Sequence, residues 1–220
     1  DVALGGQGAP LVPVGDRMLF GAYDACINVG GFANISHEGP HGRVAYDICA
    51  ANIVLNELAQ LLGYDYDESG ETARSGRMIE SLYQNLAQLD YYRMAPPKSL
   101  GREWVDHCIR PLLLNTGHPP ADLLHTYTLH VAGQIAAAIE SVRNAEKVLI
   151  TGGGAHNIFL IDSLGNRTNS QIVLPPAAVI DGKEALIFAW LAKLRLQGRP
   201  NVLASVTGAR ADHCAGTVHL

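Results

Sequence analysis

The chain has 220 residues, 48% of them hydrophobic and 17% charged, with a formal net charge of −5, which is long enough for one sizeable core. No run of Lys and Arg occurs and the pI is near 6.0, which argues against a nucleic-acid surface, and no apolar stretch approaches the ~20 residues of a membrane span. Cys26, Cys49, Cys108 and Cys214 are scattered without a C-x-x-C pair, so they read as free thiols of a reducing cytoplasm.

In chain order, Asp1 to Leu11 reads as an active-site loop. Its glycines at 5, 6 and 8 let the backbone approach a ligand, and Asp1 at its lip is placed to accept hydrogen bonds from a hydroxylated substrate. With no leading Met, signal peptide or strand, the chain is expected to be the C-terminal part of a larger enzyme. Ala25 to Ile35 reads as strand, tight turn at Gly30-Gly31, strand. Those glycines either make a plain hairpin turn or turn N–H groups toward a phosphate, and Asn34 either fixes the turn or touches the ligand. Arg43 to Tyr46 is a short third strand that enters a loop at Asp47. Asp47 either caps the next helix or acts as a general base in a cleft at a strand end. Apolar residues at 54, 55, 58, 61 and 62 predict a helix over Ala50 to Leu62, stopped by Gly63.

A second helix is expected over Gly70 to Leu89, and Ala95 to Ser99 breaks the chain at its prolines. Lys98 and Arg102 either bind an anion near the third helix, Gly101 to Leu114, or form a solvated cluster at its cap. The longest helix, Pro119 to Ala145, carries a buried stripe of Leu123, Leu124, Tyr127, Val131, Ile135 and Ile139. The histidines do not fall at zinc spacing; His118, His125 and His130, beside this helix start, read as structural or solvated. Lys147 to Thr151 is a buried strand, followed by Gly152-Gly153-Gly154 and a helix starting near His156 or Asn157. Strand, glycines and helix start make a nucleotide-site arrangement, although neither the P-loop nor the dinucleotide pattern is matched. Gln171 to Leu174 is a short strand. The last long helix is Asp181 to Leu196, with Glu184 in its first turn, suited to the helix dipole or to holding a sugar hydroxyl. The tail, Pro200 to Leu220, is mostly loop. Strands alternating with helices argue for an α/β lobe.

Seven segments, taken in order, resemble the anhydro-N-acetylmuramic acid kinase family, sugar kinases of the actin/hexokinase superfamily. They are Asp1 to Leu11, Asn28 to Ile35, Tyr46 to Asn52, Pro97 to Glu103, Gly152 to Asn157, Glu184 to Ala192 and Asn201 to Ala209. The resemblance implies that residues 1–220 are the C-terminal α/β lobe of an actin/hexokinase-like, ribonuclease H-like two-lobe kinase, with the N-terminal lobe absent. It implies a reaction in which ATP phosphorylates O6 while water opens the 1,6-anhydro bridge. The product is N-acetylmuramic acid 6-phosphate, formed during peptidoglycan recycling in the bacterial cytoplasm. Asp47 matches the catalytic aspartate, which draws a proton from that water. Asp1 and Glu184 match sugar-site carboxylates. Gly30, Gly31 and Asn34 match the second phosphate loop, and Gly152, Gly153, Gly154 and Asn157 the nucleotide face. Mg²⁺ is implied with the ATP phosphates, without protein ligands of its own, and family members are often homodimers.

The family usually carries Asp-Thr-Gly-Pro-Gly-Asn where this chain has Asp47-Ile48-Cys49-Ala50-Ala51-Asn52, a less permissive backbone. Kinases of this type close two lobes around ATP, so this chain by itself is expected to be weak or inactive. Two alternatives stand beside this one: a kinase for a different sugar, decided by the pocket around Asp47 and Glu184, and a non-catalytic nucleotide sensor, favoured by the changed residues after Asp47.

Overall fold

The computed structural model describes residues 1–114 and 116–219 of the chain. Its strands are β1 (Ala25–Val29), β2 (Phe32–Gly39), β3 (Gly42–Ala50), β4 (Lys147–Thr151) and β5 (Gln171–Val173). They form one sheet in the order β3-β2-β1-β4-β5, with β1–β2 and β2–β3 antiparallel and β4 parallel to both β1 and β5. The helices are α1 (Val12–Leu19), α2 (Asn52–Gln60), α3 (Glu71–Ser75), α4 (Glu80–Ala87), α5 (Arg102–Trp104), α6 (Arg110–Leu113), α7 (Pro120–Glu140), α8 (Ile158–Gly165), α9 (Ala177–Leu196) and α10 (Ala204–Thr207). A π-helical turn, Val105–Ile109, joins α5 to α6, so the expected third helix is one run with a bulge in it.

The period of two along a strand divides the sheet into two unlike faces. One face carries Ala25, Ile27, Val29, Ala33, Ile35, Val148 and Ile150, which share the main core with Val54 and Leu58 of α2, Leu124, Tyr127 and Val131 of α7, and Leu160 of α8. The other face carries Cys26, Asn28, Asn34, Ser36, Asp47 and Thr151 and looks toward α1 and α9. Those two helices make a small core of their own from Val14, Ile187, Leu191 and Leu194, with Leu203. They approach so closely that a Cβ on Gly15 would lie 2.5 Å from Ile187.

Several expectations need correction. Helix α1 was not foreseen; Pro13 stands at its N-terminal end, a favoured proline position. The second helix is broken into α3 and α4, because Gly76 passes so close to the Ala121 carbonyl that no Cβ fits. Strand β3 extends through Asp47 to Ala50, so Asp47 lies within a strand. Helix α9 starts at Ala177 rather than Asp181, which puts Glu184 near its middle and removes the dipole argument for it. Helix α7 stops at Glu140, and the tail contains the short α10; Leu220 lies outside the described residues. His125 and His130 are inside α7. His130 is buried against Tyr92, its Nε2 3.0 Å from the hydroxyl, and burial pushes its imidazole down to about 3. It is a core residue, as the structural reading has it. All four cysteines are free.

Candidate active site

A cleft of about 970 Å³ opens between the polar sheet face, α1, α9 and the segment from Asp90 to Trp104. Asn34, Asp47, Lys98, Trp104, Lys183 and Glu184 are among its walls. The strand registers create it. Thr151 pairs with Asn28, Asn28 with Asn34, and Asn34 with Asp47, so four polar residues stand in one row across β4, β1, β2 and β3.

A bulge sets the end of that row. Ala33 pairs with Cys49 while Asn34 pairs with Asp47, which leaves Ile48 as the extra residue of β3. The extra residue resets the alternation, so Asp47 faces the cleft while Ile48, Cys49, Ala50 and Ala51 are buried in the main core. Apolar residues after Asp47 therefore have a packing reason.

β3 is an edge strand, and the chain from Tyr91 to Leu100 covers its edge at Asp47. The Asp47 N–H donates to the Lys98 carbonyl at 3.3 Å, and the Tyr91 hydroxyl donates to the Asp47 carbonyl at 2.6 Å. The Leu100 N–H donates to Asp47 Oδ2 at 2.9 Å. Burial raises the Asp47 carboxyl above its ordinary 3.8, against the opposing pull of the Leu100 N–H. The capping role considered for Asp47 does not hold. Helix α2 is capped at Ala51, and the N–H groups of Ala51, Asn52 and Ile53 go to the carbonyls of Gly30 and Gly31. The Gly30-Gly31 turn thus holds the start of α2.

Glu184 is exposed on α9 and lines the cleft. Its neighbour Lys183 is buried and pairs with Asp16 of α1 at 2.7 Å. Asp16 also accepts from the Ser36 hydroxyl, which in turn accepts from Arg43 at 2.9 Å. This network ties α1, α9, β2 and β3 together, and sequence reasoning missed it. Its signal was an Asp and a Lys set among the apolar residues of their helices, Val14 beside Asp16 and Ile187 one turn after Lys183.

The other predicted residues lie elsewhere. Asp1 is not part of the cleft wall: its carboxylate accepts from the Gly8 N–H at 2.6 Å and the Thr207 hydroxyl at 2.8 Å, which ties the first loop to the tail. Gly152 to Gly154 follow Thr151 at the far end of the polar row. Gly152 has φ 82 and passes 2.8 Å, measured from an added Cβ, from the Val29 carbonyl, and a Cβ on Gly154 would strike the Val29 side chain. Gly153 is exposed, with its nearest neighbour Asn52 at 3.6 Å, an ordinary contact. Gly154→Ala is therefore expected to lower the unfolding free energy by about 1–3 kcal/mol through overpacking, while Gly153→Ala leaves it unchanged; equal losses in denaturant unfolding would show that packing does not separate the two. Asn157 caps α8, its Oδ1 accepting from the Leu160 N–H at 2.9 Å. The structure thus brings Asn34, Asp47 and Glu184 into one cleft, sets the glycine turns beyond it, and leaves Asp1 apart.

A family model described as "AnmK: Anhydro-N-acetylmuramic acid kinase" matches residues 1–220. A relative from Nitrosospira multiformis with the name anhydro-N-acetylmuramic acid kinase is 34% identical over 228 residues, and one from Variovorax paradoxus with the same name is 36% identical over 242. Each alignment covers 100% of this chain but 62% and 63% of the relative, so the chain spans less than two thirds of their length. Among solved structures, the activator of the 2-hydroxyisocaproyl-CoA dehydratase from Clostridium difficile with bound ADPNP aligns with a TM-score of 0.53 at 17% identity. That alignment covers 85% of this chain and 67% of the other. The likeness is one of fold, an α/β lobe of the actin/hexokinase type.

Proposed function

The chain belongs to the anhydro-N-acetylmuramic acid kinase family, and on that premise we propose that it forms one lobe of a two-lobe, ATP-dependent sugar kinase. The reaction in this reading opens the 1,6-anhydro bridge of anhydro-N-acetylmuramic acid with water and phosphorylates O6. The single observation that supports it best is Asp47: a carboxylate facing a cleft, its backbone fixed by Tyr91 and Lys98, with Asn34 and Glu184 lining the same cleft.

Asp47 is the base. One oxygen is held by the Leu100 N–H, and the other is left to take a proton from the water that attacks the anomeric carbon. The bond from that carbon to the bridge oxygen breaks, and the freed O6 attacks the γ-phosphorus of ATP. A carboxyl raised by burial is a stronger base than an exposed one. Glu184 holds a sugar hydroxyl. Gly153, the one glycine of its turn that packing does not demand, faces the nucleotide with Gly152 and Gly154. Gly30, Gly31 and Asn34 lie on the phosphate side, the two glycines acting through the backbone they hold. Among the described residues no group of three or more His, Cys, Asp or Glu stands ready for a metal; Mg²⁺ bound mainly through substrate phosphates and water fits such a lobe, where it would neutralise phosphate charge. Among the described residues no helix is long and apolar enough to cross a membrane.

The test uses a protein with the full length of the relatives that contains this chain, incubated with anhydro-N-acetylmuramic acid, ATP and Mg²⁺. The expected result is ADP and N-acetylmuramic acid 6-phosphate in equal amounts. ATP binding without turnover of this sugar or of related anhydro sugars would replace the kinase reading with a nucleotide sensor.

A further inference from the structure

The cleft carries more negative than positive side chains. Asp16, Asp47, Asp90 and Glu184 line it, and its cations among the described residues are Lys98 and Lys183. Lys183 is neutralised by Asp16 at 2.7 Å. Lys98 has no carboxylate within 4.0 Å among the described residues; its ammonium donates to the Tyr91 carbonyl at 3.1 Å and lies 4.6 Å and 5.6 Å from the ring centres of Tyr91 and Tyr46. An ammonium has three donors, so two are left for a ligand. Burial lowers the Lys98 pKa below its ordinary 10.5, a shift that an arriving anion would reverse. Lys98 also lines a second cavity, of about 580 Å³, across the β3 edge.

We propose that Lys98 is the specificity residue that pairs with the carboxylate of an acidic sugar held in the Asp47 cleft. The inference rests on the kinase reading and assigns the substrate's charge to one side chain. A sugar acid entering between Asp47 and Glu184 meets like charges and needs a cation that nothing else has claimed. A carboxylate is preferred over an ATP phosphate because Lys98 stands outside β3, at the opposite edge of the polar row from the glycine turn after β4. The two tyrosine faces keep the ammonium in place without neutralising it.

The experiment measures binding by calorimetry to the full-length protein, with anhydro-N-acetylmuramic acid and with 1,6-anhydro-N-acetylglucosamine, the same ring without the lactyl acid. The wild type is expected to prefer the acid. Lys98→Met should weaken acid binding about 10- to 100-fold, the worth of a charge-assisted hydrogen bond, and leave the neutral sugar and ATP unchanged; Lys98→Arg should keep most of the preference. Unchanged binding of the neutral sugar also shows that the variant is folded. Equal binding of the acid by wild type and Lys98→Met overturns the assignment, as does a loss shared by both sugars. A loss confined to ATP makes Lys98 a phosphate ligand and overturns it too. A wild type that binds neither sugar sinks the kinase reading itself, which separates that failure from the failure of Lys98.

Discussion

Asp47→Asn is expected to reduce turnover about 10²- to 10⁴-fold in the full-length protein while the fold stays intact. The asparagine oxygen still accepts the Leu100 N–H, and the backbone bonds to Tyr91 and Lys98 do not depend on the side chain. Only the base is lost. The pH dependence follows from the direction of the shift. Burial raises the folded carboxyl above 3.8, so the folded state binds the proton more tightly than the unfolded one. This group therefore favours folding when protonated, and the contribution is lost as pH rises through the window between 3.8 and the raised value. Above that window the ionised carboxylate is a standing cost that asparagine does not carry, so there the variant should be at least as stable as the wild type. The acid limb of kcat/KM in the wild type should lie above the ordinary carboxylate range. Denaturant midpoints across pH, measured beside the rate profile, check both. A variant that keeps turnover within a factor of two removes Asp47 from the chemistry.

The second large effect lies in the buried pair. Lys183→Met leaves Asp16 charged, about 5% exposed, and supported by Ser36 alone, and breaking such a pair costs about 3–5 kcal/mol. Asp16→Leu strands the lysine at a similar cost. The double replacement, Asp16→Leu with Lys183→Met, removes both desolvation penalties and fills the space between α1 and α9, so it should be neutral or stabilising. Urea unfolding of the three variants at constant m-value measures this. Single variants within 1 kcal/mol of the wild type would show that water already reaches the pair.

The parts legible in the sequence were those written locally. β4 is an apolar run closed by Gly152, the β1–β2 hairpin turns on two glycines, and the buried stripe of α7 repeats at helical spacing. The bulge was not legible, because Ile48 is surplus only with respect to Ala33 and Asn34 on another strand. Nor was the cover over Asp47: the Tyr91 hydroxyl reaches back 44 residues to its carbonyl. α1 was hidden because Val12, Pro13, Val14 and Gly15 are poor helix formers and no side chain caps its start; tertiary contact with Ile187 holds it. Asn34, Asp47 and Glu184 were named from residue type and family pattern, but that they share a cleft depends on register and on where α9 passes. Lys98 was seen as an anion candidate, and its lack of a counter-charge emerged only from the packed structure.

The row Thr151, Asn28, Asn34, Asp47 makes the sheet a ruler. Neighbouring strands are about 4.7–4.9 Å apart, so three steps place the start of the glycine turn roughly 14 Å from Asp47. That span is graduated in backbone hydrogen bonds and does not depend on how well any side chain packs. Core substitutions can loosen the helices on either face without changing it. Drift in this site is therefore expected to alter how firmly a ligand is gripped long before it alters how far apart Asp47 and the glycine turn are held.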